Sequence, residues 1–97
     1  MKKDYLYFIQ SDRTGMIKIG RSKDPNKRLK QLQTGNANKL RLIASFKEMG
    51  WREKIIHERL NMWSEEGEWF NCSCVGSIPD DIYEKIEYGS FDSWWST

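Results

Sequence analysis

Ninety-seven residues suffice for one hydrophobic core and leave no room for a second independently folding unit. Hydrophobic residues at 38% and aromatics at 13%, with five Trp and four each of Tyr and Phe, exclude a disordered chain and put few but large side chains in that core. The net charge of +2 hides a division: residues 1 to 60 carry 15 Lys/Arg against 6 Asp/Glu, whereas residues 61 to 97 carry 1 against 8, the pattern of a basic surface for a polyanion followed by an acidic tail.

Taken in chain order, Tyr5-Leu6-Tyr7-Phe8-Ile9 and Met16-Ile17-Lys18-Ile19 read as two strands, and Gly15 between them marks the turn of a β-hairpin. Asp24-Pro25 places a capping side chain before a proline at the first helical position; Leu29 and Leu32 follow, and Gly35 stops a helix over about 25 to 34. Leu40, Leu42, Ala44 and Phe46 alternate with Arg41, Ile43 and Ser45, the period of a third strand that joins the hairpin. From Trp51 to Trp63 no breaker interrupts Ile56, Leu60 and Trp63 at helical spacing, which predicts the longest helix. Glu68-Trp69-Phe70 reads as a brief strand or anchored loop after Gly67, and Pro79 to Tyr88 as a last helix with Asp80 and Asp81 at its positive end. The end, through Phe91, Asp92, Trp94 and Trp95, has no clear period.

The expected fold is therefore a small single α/β domain over residues 1–97, with a central three-stranded, mostly antiparallel sheet flanked by helices. Cys72 and Cys74 are too close for an easy disulfide and supply only half of a zinc site, so they are expected to be reduced, one of them packed inside. No apolar run approaches the roughly 20 residues of a membrane helix, and MKKDYLYFIQSD lacks the apolar stretch and cleavage site of a leader. A cytoplasmic protein without a membrane partner is expected.

The elements Tyr5-Leu6-Tyr7 and Lys18-Ile19-Gly20 resemble divergent forms of the motifs that name the GIY-YIG nucleases. RSKDPNKRLKQLQTGN after Gly20 is similar to that family's stretch into its first helix, with Arg28 at the place of its arginine. Glu53 in EKIIHERL looks like its metal-holding glutamate, and GEWF over residues 67 to 70 resembles small phage and bacterial members with KIG for YIG. The resemblance covers about residues 5–70, leaving 71–97 as a C-terminal helix and Trp-containing tail. It implies a metal-dependent endonuclease hydrolysing DNA with Mg2+ or Mn2+, in a phage, mobile-element, repair or defence setting; RNA stays open as a substrate because phosphate contacts by themselves carry no sequence information. It also implies that Tyr7 is the general base and that Gly20 supports the site. Lys18 stands where the family has a second tyrosine, and Leu32 where many members carry a His or Tyr that assists the base.

The residues give the same chemistry a physical basis. Phosphodiester hydrolysis needs an activated water, a cation at the phosphate and neutralisation of growing oxygen charge. Tyr7 and Lys18 on partner strands predict a phenol whose pKa an ammonium lowers, and Arg28 offers a planar fork for phosphate oxygens. Arg28 also reads as a solvated helix arginine, and Glu53 as a carboxylate favoured by the helix dipole. His57, one turn after Glu53, reaches either the metal's water or a packing partner. Tyr5 lines the site or packs outward; Glu68 completes the site or forms an ion pair that fastens its segment to the sheet. Trp69 and Phe70 read as core. Arg21, Lys23, Lys27, Lys30 and Arg41 are the candidate phosphate contacts. Two other classes fit the sequence: a nucleic-acid-binding module without efficient chemistry, and a protein-interaction or anti-defence factor that uses the tail to bind a partner or a second copy of the chain.

Overall fold

The computed structural model describes residues 4–86. Strand β1 (Tyr5–Ser11) is the middle of the sheet: it pairs antiparallel with β2 (Ile17–Ser22) on one side and with β3 (Leu40–Phe46) on the other. A strand covered on both faces needs no polar alternation, and Leu6 to Ser11 are all buried. The hairpin turn closes through Ser11 N–H on the Met16 carbonyl at 3.0 Å, with Gly15 at φ 77°, a conformation that costs glycine little.

Among the described residues the sheet has five strands, not the three expected, in the order β3-β1-β2-β5-β4. β5 (Trp69–Phe70) pairs antiparallel with β2, Ile17 opposite Phe70 and Lys18 opposite Trp69, and β4 (Ser64–Glu66) pairs with β5 at the edge. Ser64, Glu65 and Glu66 are all exposed, so β4 carries no apolar period. β3 corrects a second expectation. Its register against β1 shifts between Phe8 and Ile9, so Leu40 and Leu42 pack on one face while Ala44 and Phe46 pack on the other with Ile43. An inserted residue reverses the facing of everything after it.

Helix α1 (Pro25–Thr34) forms as its sequence dictates: Asp24 accepts from the Lys27 N–H at 3.1 Å and Pro25 occupies the first turn. The Gln33 side chain then knits the α1–β3 connection. Its amide donates to the Asn38 carbonyl at 2.9 Å and accepts from the Leu40 N–H at 2.8 Å.

The continuous helix expected from Trp51 to Trp63 is instead a short α2 (Glu53–Arg59) between tight turns at Gly50–Arg52 and Asn61–Trp63. The Gly50 N–H donates to the Asp4 carbonyl at 2.9 Å, and at the other end Leu60, fully buried, donates the last helical bond to the Ile56 carbonyl. α1 is thus longer than α2. Of the helix predicted over Pro79 to Tyr88, α3 (Asp80–Tyr83) forms and Glu84 to Ile86 do not continue it, while Glu87 and Tyr88 lie outside the described residues. Arg52 grips Asp81 with its two terminal guanidinium nitrogens, tying the start of α2 to α3 and holding the Asp81 carboxyl below its ordinary range. The tail residues Phe91, Asp92, Trp94 and Trp95 lie outside the described residues.

Two apolar clusters sandwich the sheet. Leu6, Phe8, Ile17, Ile19, Phe70 and Cys74 pack beneath α2 and α3, with Ile56, Leu60 and Ile82. Tyr7, Ile9 and Leu40 pack beneath α1, with Leu29, Leu32, Leu42 and Trp69. Both cysteines are free; Cys74 is buried and Cys72 half-buried. No helix of the described residues is long and apolar enough to cross a membrane.

Candidate active site

Directly opposed residues of antiparallel strands share a face. Tyr7 opposes Gly20, and Ile9 opposes Lys18, which opposes Trp69, so these residues form successive rows beneath α1. The Tyr7 ring lies across the Gly20 backbone: a Cβ built there would stand 2.5 Å from the phenol oxygen. Gly20 is therefore the residue that makes room for Tyr7, a role invisible from the motif alone. Tyr5 occupies the preceding row opposite Ser22 and is half-buried.

The cation at Tyr7 is Arg28, not Lys18. Burial pushes the Tyr7 phenol above its ordinary pKa, the Arg28 guanidinium beside it opposes that shift, and the negative charges of Glu68 and Glu53 add to it. The expected lowering by Lys18 is thus overturned, because desolvation outweighs a partial compensation from one cation. Lys18 is instead committed sideways. Its ammonium sits 3.1 Å from Glu68 and 5.7 Å from the centre of the Trp69 ring, with only 10% of the side chain exposed. Glu68 has the ion-pair role that the sequence left open, while its charge still reaches Tyr7. Leu32 packs in the α1 cluster.

Glu53 and His57 enter from α2 at the side of β2. His57 Nε2 lies 2.6 Å from the Ile19 carbonyl oxygen, to which it donates, and its ring meets Phe70 edge-on at 5.1 Å. That nitrogen caps a strand edge that β5 is too short to cover. Glu53 lies 3.8 Å from it and opens with Arg21, Lys54, His57, Glu58 and Asn61 onto a shallow cleft. Glu53 faces that cleft with hard oxygen donors, which suit Mg2+ or Mn2+. Among the described residues no three His, Cys, Asp or Glu side chains converge, so an ion at Glu53 would complete its shell from water and phosphate, as magnesium commonly does.

The candidate phosphate contacts divide into two kinds. Lys23, Lys27 and Lys30 are exposed before and along α1, whereas Arg21 pairs with Asp4 at 3.2 Å and Arg41 with Asp12 at 2.7 Å. Lys54, beside Glu53 in the cleft, was not singled out by the sequence reading; only its helical neighbour relation to Glu53 could have signalled it.

Comparisons with curated proteins and with solved structures give no match. The sequence matches the T5orf172 domain over residues 4–87, which covers every strand and helix among the described residues and all the residues of the site. The chain belongs to the T5orf172 domain family.

Proposed function

We propose that this chain is a metal-dependent endonuclease of the GIY-YIG type that hydrolyses phosphodiester bonds of DNA. The carrying observation is a buried phenol under the influence of a guanidinium and a carboxylate: Tyr7 is 1% exposed, Arg28 favours its ionised form, and the charge of Glu53 still acts on it. Membership of a family that suggests a phage-associated, nucleic-acid-related role supports the reading.

In this reading Tyr7 as phenolate takes a proton from the attacking water, the water's oxygen forms the new bond to phosphorus, and the bond from phosphorus to the departing sugar oxygen breaks. Arg28 donates to the non-bridging oxygens, where charge grows. Glu53 would hold the divalent ion, which supplies Lewis-acid stabilisation of the departing oxygen. His57 keeps α2, and with it Glu53, against the strand through the Ile19 carbonyl. Lys18 and Glu68 neutralise each other beside the base and fix the β5 edge.

Two observations favour the noncatalytic alternative, a binding module on the same fold: burial raises the Tyr7 pKa and so disfavours phenolate, and Leu32, half-buried against the α1 cluster, cannot relay its proton. Cleavage assays on single- and double-stranded DNA with magnesium or manganese decide between them. Active protein should lose cleavage in Glu53→Gln with fold and DNA affinity retained. Arg28→Ala should lose turnover by about 100- to 1,000-fold, with a smaller loss of affinity. Full activity in either variant, or inactivity of the parent protein with both metals, rejects the reading.

A further inference from the structure

A second polar recess lies on the α1 face, beyond Trp69 from Tyr7. It encloses about 200 Å³ and its walls include Ser11, Asn36, Asn38, Glu66 and Trp69. Ser11 is the strand residue two same-face steps from Tyr7, about 13 Å along β1, and the Lys18–Trp69 row stands between them. The Ser11 residue is 4% exposed, and its hydroxyl oxygen has no hydrogen-bond partner. A buried hydroxyl left in that state is uncommon in a folded protein and calls for an explanation. Here it borders a recess, so the missing partner can come from a bound group.

The walls restrict that group. The volume is below the roughly 300–1,000 Å³ of pockets for drug-sized ligands, so it suits one ring system. Trp69 offers a π-surface for a flat ring. Glu66 is exposed and accepts hydrogen bonds, and Ser11 both donates and accepts. A planar heterocycle with an amino group meets all three demands. The loop holding Asn36 and Asn38 is fixed beforehand, because both backbone carbonyls accept from the Gln33 amide at 3.3 and 2.9 Å and the Asn36 side chain accepts from the Asn38 N–H at 2.9 Å. The recess is therefore already shaped without a ligand.

We infer that this recess is a nucleobase subsite, which takes one unstacked base with an exocyclic amino group from the strand whose phosphate lies at Tyr7. The inference rests on the proposed nuclease reading for that phosphate, and it gives the substrate a character: an unpaired or extruded base next to the cut. Thymine, which lacks an amino group, is disfavoured. Trp69 serves both places, since its ring faces the Lys18 ammonium in one row and walls the recess in the next.

The test needs no cleavage. Protein labelled with 15N-tryptophan is titrated, without metal, with each of the four deoxynucleoside 5′-monophosphates and with deoxyribose 5-phosphate, which has no base. The Trp69 indole signal is assigned through Trp69→Phe. It should shift with the adenine, guanine and cytosine nucleotides, weakly with thymidine monophosphate, and not with the sugar phosphate. Ser11→Ala should weaken nucleotide binding by roughly five- to tenfold, as loss of one neutral hydrogen bond does, while its melting temperature stays level or rises because an unpartnered hydroxyl is gone. Glu66→Gln should narrow the gap between thymine and the amino-bearing bases. An unmoved Trp69 signal, an equal response to the sugar phosphate, or unchanged affinity in Ser11→Ala would mean that water alone satisfies Ser11, and would overturn the subsite. DNA cleavage that persists with an indifferent Trp69 rejects the subsite and spares the nuclease reading; a responsive Trp69 without cleavage does the reverse.

Discussion

The phenol oxygen of Tyr7 occupies the space where a side chain at Gly20 would begin, 2.5 Å from its Cβ position. The ring is 1% exposed and cannot swing into solvent. Gly20→Ala should therefore destabilise by about 1–3 kcal/mol as overpacking does, and the penalty should shrink in a Tyr7→Leu background, where the conflicting ring is absent. Urea melts of the two single variants and the double variant measure that coupling. Additive effects would show that the ring relocates at no cost.

Lys18 and Glu68 should respond unequally to removal. Lys18 is nearly buried and Glu68 is 42% exposed, so Glu68→Gln strands an ammonium in a poorly hydrated place, whereas Lys18→Met leaves a carboxylate that water can reach. We expect Glu68→Gln to cost about 1–2 kcal/mol, discounted for the exposed partner, and Lys18→Met to cost less. Denaturant midpoints compare them; the opposite order would make Trp69, not Glu68, the main stabiliser of the ammonium.

The rate of cleavage should climb with pH. Because burial raises the Tyr7 pKa above its ordinary 10, the phenolate is a minor form at neutral pH and grows tenfold per pH unit. The logarithm of kcat/KM should rise with unit slope through the neutral and mildly alkaline range without levelling before pH 10, and Tyr7→Phe should abolish that rise. A plateau near neutral pH in the parent protein would assign the base to another group.

Stability should move the other way in alkali. Burial, aided by the neighbouring Cys72, pushes the Cys74 thiol from 9.0 up to about 12, so above pH 9 the unfolded chain releases its proton before the folded one does. The stability tied to the protonated thiol is complete below pH 9 and is lost at about 1.4 kcal/mol per pH unit as pH rises towards 12. Tyr7, also raised, steepens the fall above pH 10. Urea melts from pH 8 to 11 should show this decline, and Cys74→Ala should flatten the part between 9 and 10.

Salt dependence should separate the two kinds of basic residue. Replacing Lys23, Lys27 or Lys30 by Ala should each lower the slope of log affinity against log salt by up to about 0.9 on duplex DNA. Arg41→Ala should change it less, because Asp12 already holds that guanidinium. Equal effects at all four positions would show that the ion pair opens on binding.

The hairpin, α1 and its Asp24 cap were legible because their signals are local: a turn glycine, a capping side chain three residues from its N–H, a proline that tolerates only the first turn. GEWF was legible only as a brief strand or an anchored loop, and the pairing of Trp69 and Phe70 with β2 makes it the former. What escaped depends on neighbours distant in sequence. β4 is made of Ser and Glu and owes its strand geometry to β5; α2 is cut short by Asp4 and by the burial of Leu60. At the site, residue identity announced phenol, guanidinium and carboxylate. It could not announce that Arg28 from a helix, and not Lys18 from the next strand, would stand beside Tyr7, since that depends on a sideways ion pair with Glu68.

The attachment of β5 to β2 by two residue pairs has a kinetic consequence. The β1–β2 hairpin joins near neighbours in sequence and can close early, whereas β5 must return from the far side of α1, β3 and α2 to find Lys18, a contact of long sequence separation that forms slowly. Until it arrives, the Lys18 charge lacks Glu68 and the wall at Trp69 is missing. Folding thus builds the scaffold first and adds the β5 edge last, so a chain interrupted before Glu68 would hold Tyr7, Arg28 and Glu53 but lack both the partner of Lys18 and the wall at Trp69.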